Sequence, residues 1–200
     1  MIAIGLDIST ANIGICLLQS SGDDISLLYT EGISLSKTKG LFAKAEFFRA
    51  RLLDIKSKLS SDNLRVDVVV VEEPLQAFRR NMSSAATISK LNRFNGIISY
   101  ITKSMLGVPL VMTNVVSTRK QIGLKIEKKA PKTTKEQVFD WVKKHDTMVG
   151  FEWPTRILKG GPNKGKVRYQ EYCYDIADSF VVAYWGMKFL KIHSLDENNV

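Results

Sequence analysis

The chain has 200 residues, of which 44% are hydrophobic and 24% charged, so it can bury the core of one ordinary globular domain. Its 29 Lys and Arg residues outnumber its 20 Asp and Glu residues, and the net charge of +9 favours a polyanionic partner such as nucleic acid, although solubility alone is an alternative. No apolar run approaches the length of a membrane span and the N-terminus lacks a basic region with a cleavage site, so we expect a cytoplasmic protein, neither secreted nor bound to a membrane.

The first 35 residues predict a meander of three antiparallel strands. Residues 2–14 contain a strand that ends at Asp7 and a Ser-Thr-Ala-Asn turn, and apolar, β-branched residues predict further strands over residues 13–19 and 25–35. Hard cations such as Mg²⁺ prefer oxygen ligands on a rigid support, so Asp7 is a candidate metal ligand. The alternative is an acid that only starts the turn.

The next two elements bring further acids to the end of a strand. A helical stripe of apolar residues predicts a helix over residues 40–59, and an almost unbroken valine run predicts a strand over residues 66–71 that is covered on both faces. Glu72 and Glu73 follow this strand and precede a proline. Because side chains alternate across a strand, only one of them can share a face with Asp7, and we select Glu72.

The segment after these glutamates contains an aromatic residue beside two cations. Phe78, flanked by Arg79 and Arg80, could wedge into or stack on bases, and the alternative is a simple loop anchor. A helix is predicted over residues 84–105 and a strand over residues 108–112. The helix has a face of small or polar residues that suits either a partner helix or solvent: Asn92, Asn95, Gly96 and Ser99.

The densest basic run of the chain lies between residues 119 and 135, and a helix is predicted over residues 133–144. A solvated surface is the usual interpretation of such a run, whereas a position near the acids would favour phosphate binding. Residues 158–168 form a basic, Gly-rich loop that lacks the phosphate-loop signature, and we expect it to be flexible. The basic residues of the run are Arg119, Lys120, Lys125, Lys128, Lys129, Lys132 and Lys135.

The last predicted helix, residues 174–192, is apolar nearly all round and should therefore be buried. Asp175 and Asp178 lie three residues apart at its start and share one face, where a helix cap and a partner for the helix dipole are the alternative roles. Two carboxylates on a buried helix are costly without a cation, and Asp7 and Glu72 are candidates for the same cluster. The four acids together indicate a metal site.

These motifs, in their order and spacing, resemble the RuvC-type Holliday junction resolvases of the RNase H-like superfamily, which includes retroviral integrases. The matching motifs are GLD-x-S-T-x-x-x-G, VVVEEP, KEQV and D-I-A-D-S. The resemblance implies an α/β RNase H-like fold with a five-stranded mixed sheet of order 3-2-1-4-5, flanked by helices. It covers nearly the whole chain, so we expect one nuclease domain over residues 1–192 and a polar tail over residues 193–200. The segment before Asp175 is longer than the family pattern.

The resemblance further implies a Mg²⁺-dependent endonuclease with two ions in each site, for which Mn²⁺ can substitute, and no small-molecule cofactor. A homodimer would place two such sites on a four-way DNA junction and cut it by paired symmetric nicks, in the host-cell cytoplasm if the protein is viral. Carried over by position, the metal-binding acids are Asp7, Glu72, Asp175 and Asp178. The basic positions near the scissile phosphate are Lys120 and Lys135, and the junction-inserting residue is Phe78, with Leu75 as a competing match.

Three other functions remain open from the sequence. One is another RNase H-like nuclease that acts on flaps, forks or RNA–DNA hybrids, and a second is a junction-binding protein without catalysis. The third is a sugar-kinase or actin-like ATPase, whose phosphate-binding strand also contains D-x-[GS]-T. That last class needs two such domains and a second DxG strand, which this chain lacks.

Overall fold

The computed structural model describes residues 1–74 and 85–190, and its centre is a five-stranded mixed sheet. β1, β2 and β3 form an antiparallel meander, whereas β4 runs parallel to β1 and β5 runs parallel to β4. The order β3-β2-β1-β4-β5 confirms the fold predicted from the sequence. The strands are β1 (Ile2–Ile8), β2 (Asn12–Ser21), β3 (Asp24–Ser34), β4 (Val68–Glu72) and β5 (Leu110–Thr113).

Helices cover both faces of this sheet. Phe48 of the first helix and Phe94 of the second pack on one face, and Phe180 of the last helix belongs to the core on the other. The helices are α1 (Leu41–Ser61), α2 (Ala85–Leu106), α3 (Val115–Gln121), α4 (Thr134–Lys143) and α5 (Tyr172–Phe189). None of the helices in the described segments is both long and apolar enough to span a bilayer.

The alternation of side chains along β1 decides which core each residue enters. Ile4 and Leu6 are fully buried in the core shared with α1 and α2, so Gly5 and Asp7 face α5. A Cβ atom at Gly5 would lie only 2.1 Å from the carbonyl oxygen of Ser179 on α5. Glycine therefore permits α5 to lie directly against the backbone of the central strand.

Most predicted boundaries differ from the structure by one to three residues, as β4, β5 and α5 illustrate. β4 spans Val68–Glu72 instead of residues 66–71, because its pairing with β1 begins only where Ala3 meets Val68. β5 spans Leu110–Thr113 instead of residues 108–112. α5 begins at Tyr172 and ends at Phe189, so Asp175 lies in its first turn and is not its cap.

The structure also contains elements that the sequence did not predict, among them a short helix and a two-stranded ribbon. One is α3, whose last turn overlaps the start of the basic run, and the Asn114 side chain caps it by accepting bonds from the backbone NH groups of Val116 and Ser117. The segment before α5 was expected to be a flexible loop. It forms a two-stranded antiparallel ribbon of β6 (Thr155–Ile157) and β7 (Val167–Tyr169).

The two cysteines occupy core positions. Cys16 lies on β2 and Cys173 on α5, and both side chains are buried and free. Burial raises the pKa of the Cys173 thiol to about 11, so it stays protonated at neutral pH.

Candidate functional site

Four carboxylates, here called the carboxylate cluster, lie between the carboxyl ends of β1 and β4 and the start of α5. Leu6 pairs with Val71 in the parallel register, so the next residues of the two strands, Asp7 and Glu72, are neighbours. The other two members, Asp175 and Asp178, lie in the first turns of α5 and are each only 5% exposed.

The electrostatics of the cluster show an excess of negative charge. Burial raises the pKa of Asp7 well above its ordinary value, and the charges of Glu72, Asp178 and Asp175 raise it further, while Lys135 lowers it. Burial, together with the charge of Asp178, also raises the pKa of Glu72 to about 7. Carboxylates that repel one another in a buried site are stabilised by a bound cation.

Asp175 has a hydrogen-bond partner that sequence reasoning missed. The Asn12 side-chain NH₂ donates a bond of 3.1 Å to the Asp175 carboxylate. Asn12 stands at the start of β2, in a turn closed by the Ser9 hydroxyl, which donates to the Asn12 carbonyl oxygen at 2.8 Å. The Ser-Thr-Ala-Asn turn thus does more than join two strands, because it positions one acid of the cluster.

Asp178 is held by Arg119, which the sequence placed in the DNA-binding run. The Arg119 guanidinium donates to the Asp178 carboxylate at 2.8 Å, and its side chain is only 13% exposed. Its charge also opposes the rise in the pKa of Glu72. The buried Arg119 Nε has no hydrogen-bond partner within residues 1–74 and 85–190. Arg119 therefore contacts the carboxylate cluster through Asp178.

The donor set fits a hard divalent cation in its chemistry, since it consists of buried carboxylate oxygens. Among the described residues, however, no three His, Cys, Asp or Glu side chains converge closely enough to enclose a metal ion. Asp175 and Asp178 instead accept bonds from Asn12 and Arg119. Metal binding by the four acids stays a prediction.

The structure brings one of the two predicted lysines to the cluster. Lys135 lies in the first turn of α4, and its charge lowers the pKa values of Asp7 and Asp175. A capping box between Thr133 and Glu136 fixes this end of the helix. Lys120 is exposed on α3, and within the described residues no interaction links it to the carboxylates.

The remaining basic candidates lie on the surface or outside the described residues. Lys125, Lys128 and Lys129 are exposed between α3 and α4. Lys132 is exposed and forms an ion pair with Asp140. The predicted DNA-contacting or wedge residues that lie outside the described residues are Leu75, Phe78, Arg79 and Arg80.

The small-residue face of α2 is divided between the interior and the surface. Asn95 and Ser99 are 2% and 6% exposed, whereas Asn92 and Gly96 are exposed. The Asn95 side chain donates to the backbone oxygen of Glu72 at 3.2 Å, and the Ser99 hydroxyl donates to Asn95 Oδ1 at 3.3 Å. Half of this face therefore supports the end of β4.

Comparison with solved structures finds resolvases of similar fold over nearly the full chain. RuvC of T. thermophilus in complex with Holliday junction substrate has 15% identity and a TM-score of 0.57, with 94% of this chain and 95% of that chain covered. A second Thermus thermophilus RuvC structure has 17% identity and a TM-score of 0.55, with 94% of this chain and 96% of that chain covered. The yeast mitochondrial Holliday junction resolvase Ydc2 has 16% identity and a TM-score of 0.54, with 98% of this chain and 80% of that chain covered.

Searches against protein-family models and curated protein sequences find no match. At 15–17% identity, the structural likeness establishes the fold. The RNase H-like fold of the RuvC type, expected from the motifs, is therefore confirmed.

Proposed function

We propose that this chain is a Mg²⁺-dependent endonuclease that resolves four-way DNA junctions by paired symmetric nicks. The observation that carries the proposal is the carboxylate cluster, which lies at the ends of β1 and β4 with Lys135 beside it. The solved structures of similar fold include RuvC bound to Holliday junction substrate and the resolvase Ydc2. The net charge of +9 is consistent with a nucleic-acid substrate.

In this proposal the four carboxylates hold the metal. Bound Mg²⁺ would activate a water for in-line attack on a phosphodiester and stabilise the leaving oxygen. Asp7 is the central ligand, because its charge interacts with those of all three other acids. Lys135, whose charge acts on Asp7, is a donor for the phosphate and would balance its charge, while Arg119 balances the charge of Asp178.

A nicking assay tests the proposal directly. The wild-type protein is incubated with Mg²⁺ and a labelled four-way junction, flap, fork, linear duplex or RNA–DNA hybrid. We expect symmetric nicks in the junction that leave 5′-phosphates, and none without a divalent metal. Cleavage chiefly of flaps, forks or hybrids would indicate another RNase H-like nuclease, and tight junction binding without cleavage would indicate a binding protein. ATP hydrolysis would instead favour the kinase-like alternative.

We expect the active form to be a homodimer that uses α2, because coordinated cleavage of two strands needs two sites related by symmetry. Tyr100 on α2 is 74% exposed and Gly96, one turn earlier, leaves open space beside it. Tyr100→Glu should convert the dimer to a monomer in sedimentation experiments, whereas the matched control Phe42→Glu, at a side chain 78% exposed on α1, should not. A wild type that is monomeric at micromolar concentration, with and without DNA, would contradict this.

Lys135→Ala should slow cleavage by roughly 10²–10³-fold at saturating protein, because a cation beside the reacting phosphate stabilises charge that develops in the transition state. Lys128→Ala and Lys129→Ala should instead weaken binding and lower the salt dependence by about 0.9 in slope for each lost phosphate contact. Single-turnover rates and affinities at several salt concentrations separate the two effects. If Lys135→Ala cleaves at the wild-type rate once it is bound to DNA, Lys135 has no role in catalysis and is only a residue of the first turn of α4.

A further inference from the structure

The ribbon of residues 155–169 is unusual because the strands on both of its sides stay exposed within residues 1–74 and 85–190. All six residues of β6 and β7 are exposed. Within residues 155–169 there are five basic side chains and no acidic one. A two-stranded hairpin is at best marginally stable alone, so this ribbon is an exposed, positively charged projection that needs support elsewhere.

The register gives the two faces of the ribbon different chemistry. Arg156 lies directly opposite Arg168, a placement of like charges that is unfavourable unless an anion lies nearby. Glu171 is 3.6 Å from Arg156, but its side chain is 81% exposed and balances only one of the two charges. On the other face Ile157 lies opposite Val167, with 65% and 64% of these residues exposed.

The tip of the ribbon has a defined shape. Backbone hydrogen bonds run from Leu158 N to Lys166 O at 3.0 Å and from Gly165 N to Leu158 O at 2.8 Å. Gly161 and Gly165 have φ angles of 74° and 85°, which glycine adopts at little cost. The tip therefore presents the exposed Lys159 and Lys164 on an ordered turn.

The base of the ribbon is fixed to the two helices that carry the candidate site. The Tyr169 ring packs edge-on against Phe139 of α4 at 4.9 Å, and its hydroxyl accepts a bond from Lys143 Nζ at 2.7 Å. Gln170 N donates to Pro154 O at 2.9 Å, and α5 begins only two residues later. The orientation of the ribbon is thus tied to α4, which carries Lys135, and to α5.

We propose that the ribbon is a second DNA-binding element, which docks in the groove of a duplex arm outside the carboxylate cluster. The major groove of B-DNA is about 12 Å wide and admits a two-stranded ribbon. Arg156, Arg168, Lys159 and Lys164 would contact phosphates on either side of it. This inference rests on the proposed function, because it takes the duplex to be an arm of the branched substrate.

Binding experiments in EDTA test the inference without depending on cleavage. Two ribbon variants, Arg156→Gln/Arg168→Gln and Lys159→Gln/Lys164→Gln, are compared with the charge-matched control Lys58→Gln/Arg65→Gln. The control residues are exposed near the start of β1, at the opposite end of the sheet from Asp7. Circular dichroism and thermal unfolding show whether each variant is folded.

Each ribbon variant should lower the slope of log K against log salt by about 0.9 per lost contact, and weaken binding roughly fivefold per contact at 0.15 M salt. The control variant should bind as wild type does. Junctions whose arms are shortened should bind wild type and ribbon variants equally. An unchanged slope in both ribbon variants, an equal loss in the control, or a defect that persists on short arms would overturn the inference. If the ribbon variants bind more weakly as expected but the wild type never cleaves, only the nuclease proposal is refuted.

Discussion

Asp7→Asn is expected to abolish Mg²⁺-dependent cleavage while junction binding is retained or strengthened. The substitution removes the carboxylate whose charge interacts with all three other acids, and it also removes some repulsion of the phosphate. Single-turnover cleavage and binding affinity are measured on the same four-way junction. Turnover near the wild-type rate in Mg²⁺ would contradict the proposed site.

Asp7→Asn should lose cleavage but gain stability. Its melting temperature therefore serves as the control for folding. Burial and neighbouring negative charges raise the pKa of Asp7, so its ionised form destabilises the metal-free fold at neutral pH. The neutral Asn should therefore raise the melting temperature in EDTA, by roughly 2–4 °C for each kcal/mol gained. Mg²⁺ should stabilise the wild type and have little effect on Asp7→Asn. A destabilised variant would mean that lost cleavage reflects misfolding.

The two adjacent glutamates give a matched pair within one chain. Glu72 is the last residue of β4 and its charge interacts with that of Asp178, whereas Glu73 follows the strand. Glu72→Gln should therefore reduce cleavage far more than Glu73→Gln. The reverse order in the same assay would show that the face assigned to Glu72 is wrong.

The individual strands could be predicted from the sequence because their signals are local, whereas the order of the strands in the sheet was implied by the resemblance to the resolvases. Unbroken valines predict a strand covered on both faces, and alternation along it indicates that only one of Glu72 and Glu73 can share a face with Asp7. The apolar surface of the last helix likewise predicts its burial, and Asp175 and Asp178 are buried with it. In each case the pattern and the structural consequence lie within one element.

The details of the site could not be predicted because they depend on contacts between distant residues. Asn12 and Asp175 are 163 positions apart, and Arg119 and Asp178 are 59 apart. α3 is only seven residues long, which is too short for a helical pattern of apolar residues to show in the sequence, and only its last turn belongs to the basic run. The ribbon has three-residue strands without a polar and apolar alternation long enough to detect.

Gly14→Ala is expected to cause a large loss of both stability and cleavage. A Cβ atom at this position would lie 1.9 Å from the carbonyl oxygen of Asp175 and 2.4 Å from its carbonyl carbon. Neither atom belongs to a flexible side chain, so β2 and the start of α5 would have to separate. Overpacking of this kind costs typically about 1–3 kcal/mol, and it would also displace a carboxylate of the cluster.

Gly160→Ala provides the matched control for stability, because a Cβ at Gly160 would meet nothing within 4 Å. Gly160 is also not among the glycines with positive φ, so alanine should fit there without strain. Denaturant unfolding of both variants, with single-turnover cleavage by Gly14→Ala, separates close packing from a general effect of added methyl groups. If Gly14→Ala unfolds and cleaves as wild type does, α5 does not lie against β2 as closely as the carboxylate cluster requires.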